Sequence, residues 1–243
     1  MSPSATADTL VSFRDVSKVF VTGSKRRPRT VTAVDSVDLD IRRGEIFAVI
    51  GYSGAVKSTL VRLINGLITP STGTVYVDAL NPVTDGKLVR RRVGFVFSDA
   101  ESQIVMPRVA EDVAFSLRRF KLPRDEVSRR VDQALLRFGL GDKRDNSPHT
   151  LSGGEKQLLA LAAVLVIEPE LVIADEPTTL LDARNRRRII GEIAALEQQV
   201  IVVTHDLDML AGFDRVLCLD EGRVLFDGPP HDTVSFYNEL LGE

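Results

Sequence analysis

Five short runs of β-branched and aliphatic residues recur along the chain, at 46–50, 93–97, 171–174, 200–203 and 216–219, with helically spaced apolar positions between them. Continuous apolar runs alternating with helices mark parallel strands covered on both faces. The opening follows a different rule. Residues 10–13, 19–21 and 32–41 alternate apolar with polar side chains, the pattern of half-exposed antiparallel strands. Between them GSKRRPRT, residues 23–30, carries four basic residues and a proline and reads as a solvated hairpin tip. From residue 98 to 168 the strand signal stops, and 109–120, 123–138 and 153–167 show helical periodicity instead. RVLFDG then reads as a last strand and turn, followed by a helix over 230–241. The expected fold class is α/β: one domain over 1–243, with a mixed, mostly parallel sheet, an N-terminal antiparallel β subdomain and a helical insertion. Residues 1–97 and 169–243 supply the core and flap, and 98–168 the helical subdomain.

Composition narrows what such a domain does. At 243 residues and 44% hydrophobic the chain buries a sizeable core. The 31 Lys+Arg against 34 Asp+Glu leave a net charge of -3, without the positive field that holds nucleic acid. The longest apolar run, residues 158–167, is half the length a spanning helix needs, and the first ten residues lack a secretory pattern. Cytoplasmic residence is expected. The single cysteine, Cys218, lies in the apolar run RVLCLD and reads as a small buried hydrophobe.

The first chemical feature is GEIFAVIGYSGAVKSTLVRL, where the strand at 46–50 passes through small residues into a helix expected to start near Lys57. Loop amides and the positive helix end converge on a phosphate in such a setting, while a lysine adds charge and a hydroxyl reaches a metal. The candidate phosphate residues are Gly51, Tyr52, Ser53, Gly54, Ala55, Val56, Lys57, Ser58 and Thr59, with Lys57 as the charge and Ser58 as the metal hydroxyl. Val56 stands where the usual pattern has glycine. A β-branched residue is the worst choice for a left-handed backbone, so Val56 is expected to weaken nucleotide binding. Taken alone, the loop is also compatible with an ordinary strand-turn-helix.

Further along, LVIADEP places Asp175 and Glu176 at the exit of a buried strand, where ligands of doubly wound sheets bind. LSGGEKQ (Leu151, Ser152, Gly153, Gly154, Glu155, Lys156, Gln157) opens a helix with a capping serine and outward amides. VVTHD sets His205 after another strand.

Together with TTLLD these five ordered motifs, spanning residues 44–206, resemble the ABC-transporter ATPase family of phosphate-loop nucleoside triphosphatases. The resemblance implies ATP and Mg²⁺ as ligands, with Ser58 and Asp175 at the metal, and Glu176 and His205 at the attacking water and γ-phosphate. It implies that LSGGEKQ touches ATP of an opposite subunit, so the working unit is a homodimer or heterodimer on a transmembrane partner at the inner face of the membrane. Asp182 resembles the residue that communicates between paired sites, and Phe20 the aromatic that stacks on adenine, although aromatics in flap strands also serve as core. The family has glutamine where this chain has Ser98; Gln103 lies five residues on. VGFVFSDAESQIV, EDVAF and TTLLDARN resemble the energy-coupling-factor importers of biotin and cobalt. GEIFAVIGYSGA and LVRLINGL resemble methionine importers. The resemblance therefore implies ATP-driven uptake of a small nutrient. The alternatives are a methionine-type importer ATPase and a non-hydrolysing regulatory subunit of a heterodimer.

Overall fold

The computed structural model describes residues 8–24, 27–52 and 54–242. In chain order its elements are β1 (Thr9–Ser24), β2 (Arg27–Arg42), β3 (Phe47–Ile50), α1 (Gly54–Ile64), β4 (Thr72–Val77), α2 (Gly86–Arg92), β5 (Val93–Val96), α3 (Ala100–Gln103), α4 (Val109–Leu117), α5 (Arg124–Arg137), α6 (Gly153–Leu165), β6 (Leu171–Asp175), α7 (Ala183–Ala194), β7 (Gln199–Val203), β8 (Arg215–Asp220), β9 (Arg223–Gly228) and α8 (Pro230–Leu241). They fall into two compact units, one of Met1–Arg90 with Gln199–Glu243 and one of Arg91–Gln198.

The first unit carries a three-stranded antiparallel sheet in the order β2-β1-β4, and a second group of strands in the order β7-β3-β8-β9. In the second group β7, β3 and β8 are parallel and β9 closes antiparallel on β8. All four residues of β3 are buried, as a continuous apolar run predicts for a strand with neighbours on both sides. The N-terminal alternation is visible in β2, where Val37, Leu39 and Ile41 are buried and Asp38 and Asp40 exposed. It breaks in β1. Residues 10–13 are all buried although 11–13 pair in regular register with β2 and β4, and past Phe13 the register with β2 shifts repeatedly, as bulges make it do. The two short strands expected there are one long strand. The expected hairpin tip is shorter too: Ser24 pairs with Arg27, and Lys25 and Arg26 lie outside the described residues. Cys218 is buried in β8 beside Ile50, and burial pushes its thiol up to about 11.

In the second unit β5 and β6 pair in parallel from Val93↔Leu171 to Val96↔Ala174. Helix α6 is its core element. Residues 157–167 are buried on every side, the signature of a helix inside a domain rather than on its surface. Each of its large aliphatic side chains contributes roughly 1.5–3 kcal/mol of burial before the entropy cost. The strand packs so close that a Cβ at Gly94 of β5 would overlap the Val164 side chain. Among the described residues no helix is long and apolar enough to cross a membrane.

Candidate functional site

In the first unit two sequence-predicted features meet at one sheet edge. Val49 of β3 pairs with Val203 of β7 in parallel, so Gly51 and His205 both emerge two residues past that pair, at the carboxyl ends of adjacent strands. Thr204 donates its amide to the Val49 carbonyl at 3.1 Å, and its hydroxyl accepts from the Asp206 amide at 2.9 Å. Those bonds fix the turn that leaves His205 exposed.

Gly51 has a φ of 147°, and a Cβ there would run into the Leu219 carbonyl oxygen of β8. Glycine is thus demanded by the neighbouring strand as well as by any ligand. Lys57, only 2% exposed, turns back and donates to the Gly51 carbonyl at 2.7 Å. The bond closes the loop with a positive charge inside it. Ser58 is half-buried, Thr59 is buried and Tyr52 is 76% exposed; Ser53 lies outside the described residues, as does the side chain of Ala55.

Two expectations about this loop are corrected. The helix starts at Gly54 rather than near Lys57, so the amides of its first turn, from Gly54 to Lys57, issue from its positive end. Val56 lies inside that turn and is not among the residues with positive φ, so the left-handed backbone presumed for it does not occur. What remains is bulk: its side chain is 8% exposed. Phe20 sits on β1 opposite Val31, 36% exposed, with the Lys18 ammonium 5.0 Å from its ring centroid.

The second unit has an edge of its own. Val96 and Ala174 are paired, so Ser98 and Glu176 both lie two residues beyond them. Asp175 ends β6 fully buried. Glu176 is half-buried with a φ of 53°, a strained conformation of the kind that clusters at working sites. Ser98 is half-buried. Gln103 is engaged elsewhere: its oxygen accepts from the Phe97 amide at 3.1 Å and its nitrogen donates to the Ala160 carbonyl at 3.3 Å. It acts as a brace between the segment after β5 and α6.

The start of α6 has the capping serine expected, and Glu155 closes its first turn further. Ser152 caps it, accepting from the Glu155 amide, while the Ser152 amide and hydroxyl both donate to the Glu155 carboxylate at 2.8 and 2.9 Å. Glu155 in turn pairs with Lys143, which together with the Ser152 bonds holds its carboxyl down at about 2. Part of the donor set is therefore satisfied internally, and a paired negative charge sits in the first turn. Ser152 and Gly153 remain exposed and Leu151, Gly154 and Gln157 buried; Gln157 donates to the Phe97 carbonyl at 3.4 Å and Lys156 pairs with Glu101 at 2.9 Å. Asp182 caps α7, accepting from the amides of Arg184 and Asn185 at 2.9 Å each. Sequence reasoning missed Lys143 and Asn185. The second was legible as an Asp-x-x-Asn cap, the first only through its distant partner.

The sequence profile described as ABC transporter matches residues 34–179. A biotin transport ATP-binding protein of Rhizobium etli is 44% identical over 197 residues, covering 81% of this chain and 88% of that protein. An energy-coupling factor transporter ATP-binding protein of Bacillus subtilis is 35% identical, covering 96% and 83% respectively. Among solved structures, a dimeric ATP-binding cassette, MJ0796, in a post-hydrolysis state with ADP and Pi superposes with a TM-score of 0.80 at 27% identity, over 90% of this chain and 98% of that one.

Proposed function

This chain belongs to the ABC transporter family as an ATP-binding subunit, and on that premise we propose that its paired copies hydrolyse ATP to drive uptake of a small vitamin, biotin being the first candidate, through a membrane partner. The buried Lys57 ammonium on the Gly51 carbonyl, at the mouth of α1, is the observation that carries the reading. A desolvated lysine beside a helix N-terminus favours a polyphosphate over any neutral ligand.

The residues divide the work as follows. Phe20 offers its exposed ring to adenine, and Gly51, Tyr52, Ser53, Gly54, Ala55, Val56, Lys57 and Thr59 surround the phosphates. Ser58 and Asp175 offer hydroxyl and carboxylate oxygens, the hard donors that suit Mg²⁺, which when bound neutralises charge on the β- and γ-phosphates. Glu176 polarises a water that attacks the γ-phosphorus; the bond to the β-phosphate oxygen breaks and ADP leaves with that electron pair. His205 and Ser98 orient the water and γ-phosphate. The residues 151–157 of one subunit meet the nucleotide held by the other, and Asp182 links the two sites. The biotin relative supports the substrate class, and the dimeric neighbour with ADP and Pi supports a paired, hydrolysing unit.

A second reading has its own support. Its support is Val56, a buried β-branched residue in the first turn of α1 where the family pattern has glycine, which suits a non-hydrolysing subunit whose paralogue supplies the active site. One experiment separates them: ATP turnover and biotin uptake by the chain assembled with its membrane partner, unsubstituted and as Val56→Gly. Turnover in the unsubstituted complex supports the first reading. Turnover only in Val56→Gly supports the second, and none in either overturns hydrolysis by this chain.

A further inference from the structure

Asn185, the third residue of α7, is half-buried. Its backbone amide donates to Oδ1 of Asp182 at 2.9 Å and its side-chain amide to Oδ2 at 2.7 Å. With the Arg184 amide these bonds hold the Asp182 carboxyl below its usual range. The far side of the same side chain closes on α6. A methyl group at Gly154 would overlap Asn185 Cγ and Oδ1 and lie 2.8 Å from Nδ2. Gly154 is buried, and the exposed Ser152 and Gly153 immediately precede it.

One planar amide is therefore bonded to the turn that carries Asp182 and packed on the turn that carries Ser152. Close-packed groups transmit displacement instead of absorbing it. We infer that Asn185 is a positioning residue that locks the Asp182 turn to the start of α6, so that both surfaces offered to the partner subunit's nucleotide move as one body. This rests on the reading above of those two turns as parts of a shared ATP site. Energetic coupling of this kind needs a physically continuous element, and the Asp182–Asn185–Gly154 stack is one.

Hydrogen exchange on the nucleotide-free chain tests the lock. Asp182→Ala is expected to speed exchange roughly tenfold at amides 184–186 and also at 153–157. In an Asn185→Ala background the same substitution is expected to affect 184–186 alone. Unchanged exchange at 153–157 in the first case, or an equal change in both backgrounds, overturns the lock. A second arm reads function in the assembled complex. Asn185→Asp puts two carboxylates together, so turnover relative to the unsubstituted complex should rise as pH falls and the new carboxyl regains a proton to donate to Asp182, with KM for ATP unchanged. An equal deficit at every pH would mean only lost structure. If the unsubstituted complex turns over no ATP, the function proposed above fails, while the exchange experiment still decides the lock.

Discussion

Two helix N-termini in this molecule open on small residues, and they are built in opposite ways. The start of α6 is finished internally: Ser152 and Glu155 cap each other and Lys143 neutralises the carboxylate. The start of α1 has no acidic residue in its first turn and holds a buried ammonium instead. One end is a rigid platform that keeps its shape without a ligand. The other holds a buried ammonium on the Gly51 carbonyl, a positive charge that favours an anionic ligand. A helix N-terminus is thus not by itself a phosphate site; the charge its own side chains place there decides how strongly it draws an anion.

The sharpest way to break this contrast is to spoil the loop that α1 depends on. Gly51→Ala forces a Cβ into the Leu219 carbonyl in a left-handed backbone, and a loss of more than about 4 kcal/mol is expected in chemical denaturation. Lys57→Met removes the charge but keeps most of the volume. ATP affinity by calorimetry should fall on the order of 100-fold, about 2.7 kcal/mol, while far-ultraviolet circular dichroism stays unchanged.

Val56→Gly pulls in two directions. Loss of a buried isopropyl group and of helix propensity should lower stability by about 2 kcal/mol, and the same change should raise ATP affinity. Equal affinity in both proteins would show that the bulk of Val56 does not obstruct the phosphate.

The smallest effect belongs to α6. Ser152→Ala removes half of a capping box and should cost about 1 kcal/mol, leaving single-site ATP affinity intact. The pH dependence has a definite sign. The Glu155 carboxyl titrates at about 2 in the folded chain against an ordinary 4.5, so its stabilisation is complete above 4.5 and is lost as pH falls toward 2. Glu155→Gln should flatten the acid limb of the stability curve across that window, and an unaltered limb would refute the role given to Lys143.

The strands that matter most were legible because their apolar runs are continuous: β3, β5, β6, β7 and β8 lie within a residue of their expected limits. Helix α8 falls on its expected bounds, announced by the proline at its start. The N-terminal flap was harder, since bulges in β1 disrupt the two-residue period that separate strands would show. The cap of α6 was readable as Ser-x-x-Glu, but its ion pair with Lys143 was not, because no local spacing links residues 143 and 155. The bracing role of Gln103, five residues past Ser98, was not legible either, because packing on α6 decides it.

By itself the sequence determined the five buried strands and the last helix, though not β4 or α2, and the chemistry available: a lysine and hydroxyls after one strand, two acids after another, a histidine after a third. These are properties of periodicity and of short spacings, which the chain carries wherever it folds. Only the tertiary structure decided which residues are irreplaceable for a neighbour's sake. Gly51 answers to Leu219 and Gly154 to Asn185, because close packing brings distant backbone within the radius of a single methyl group.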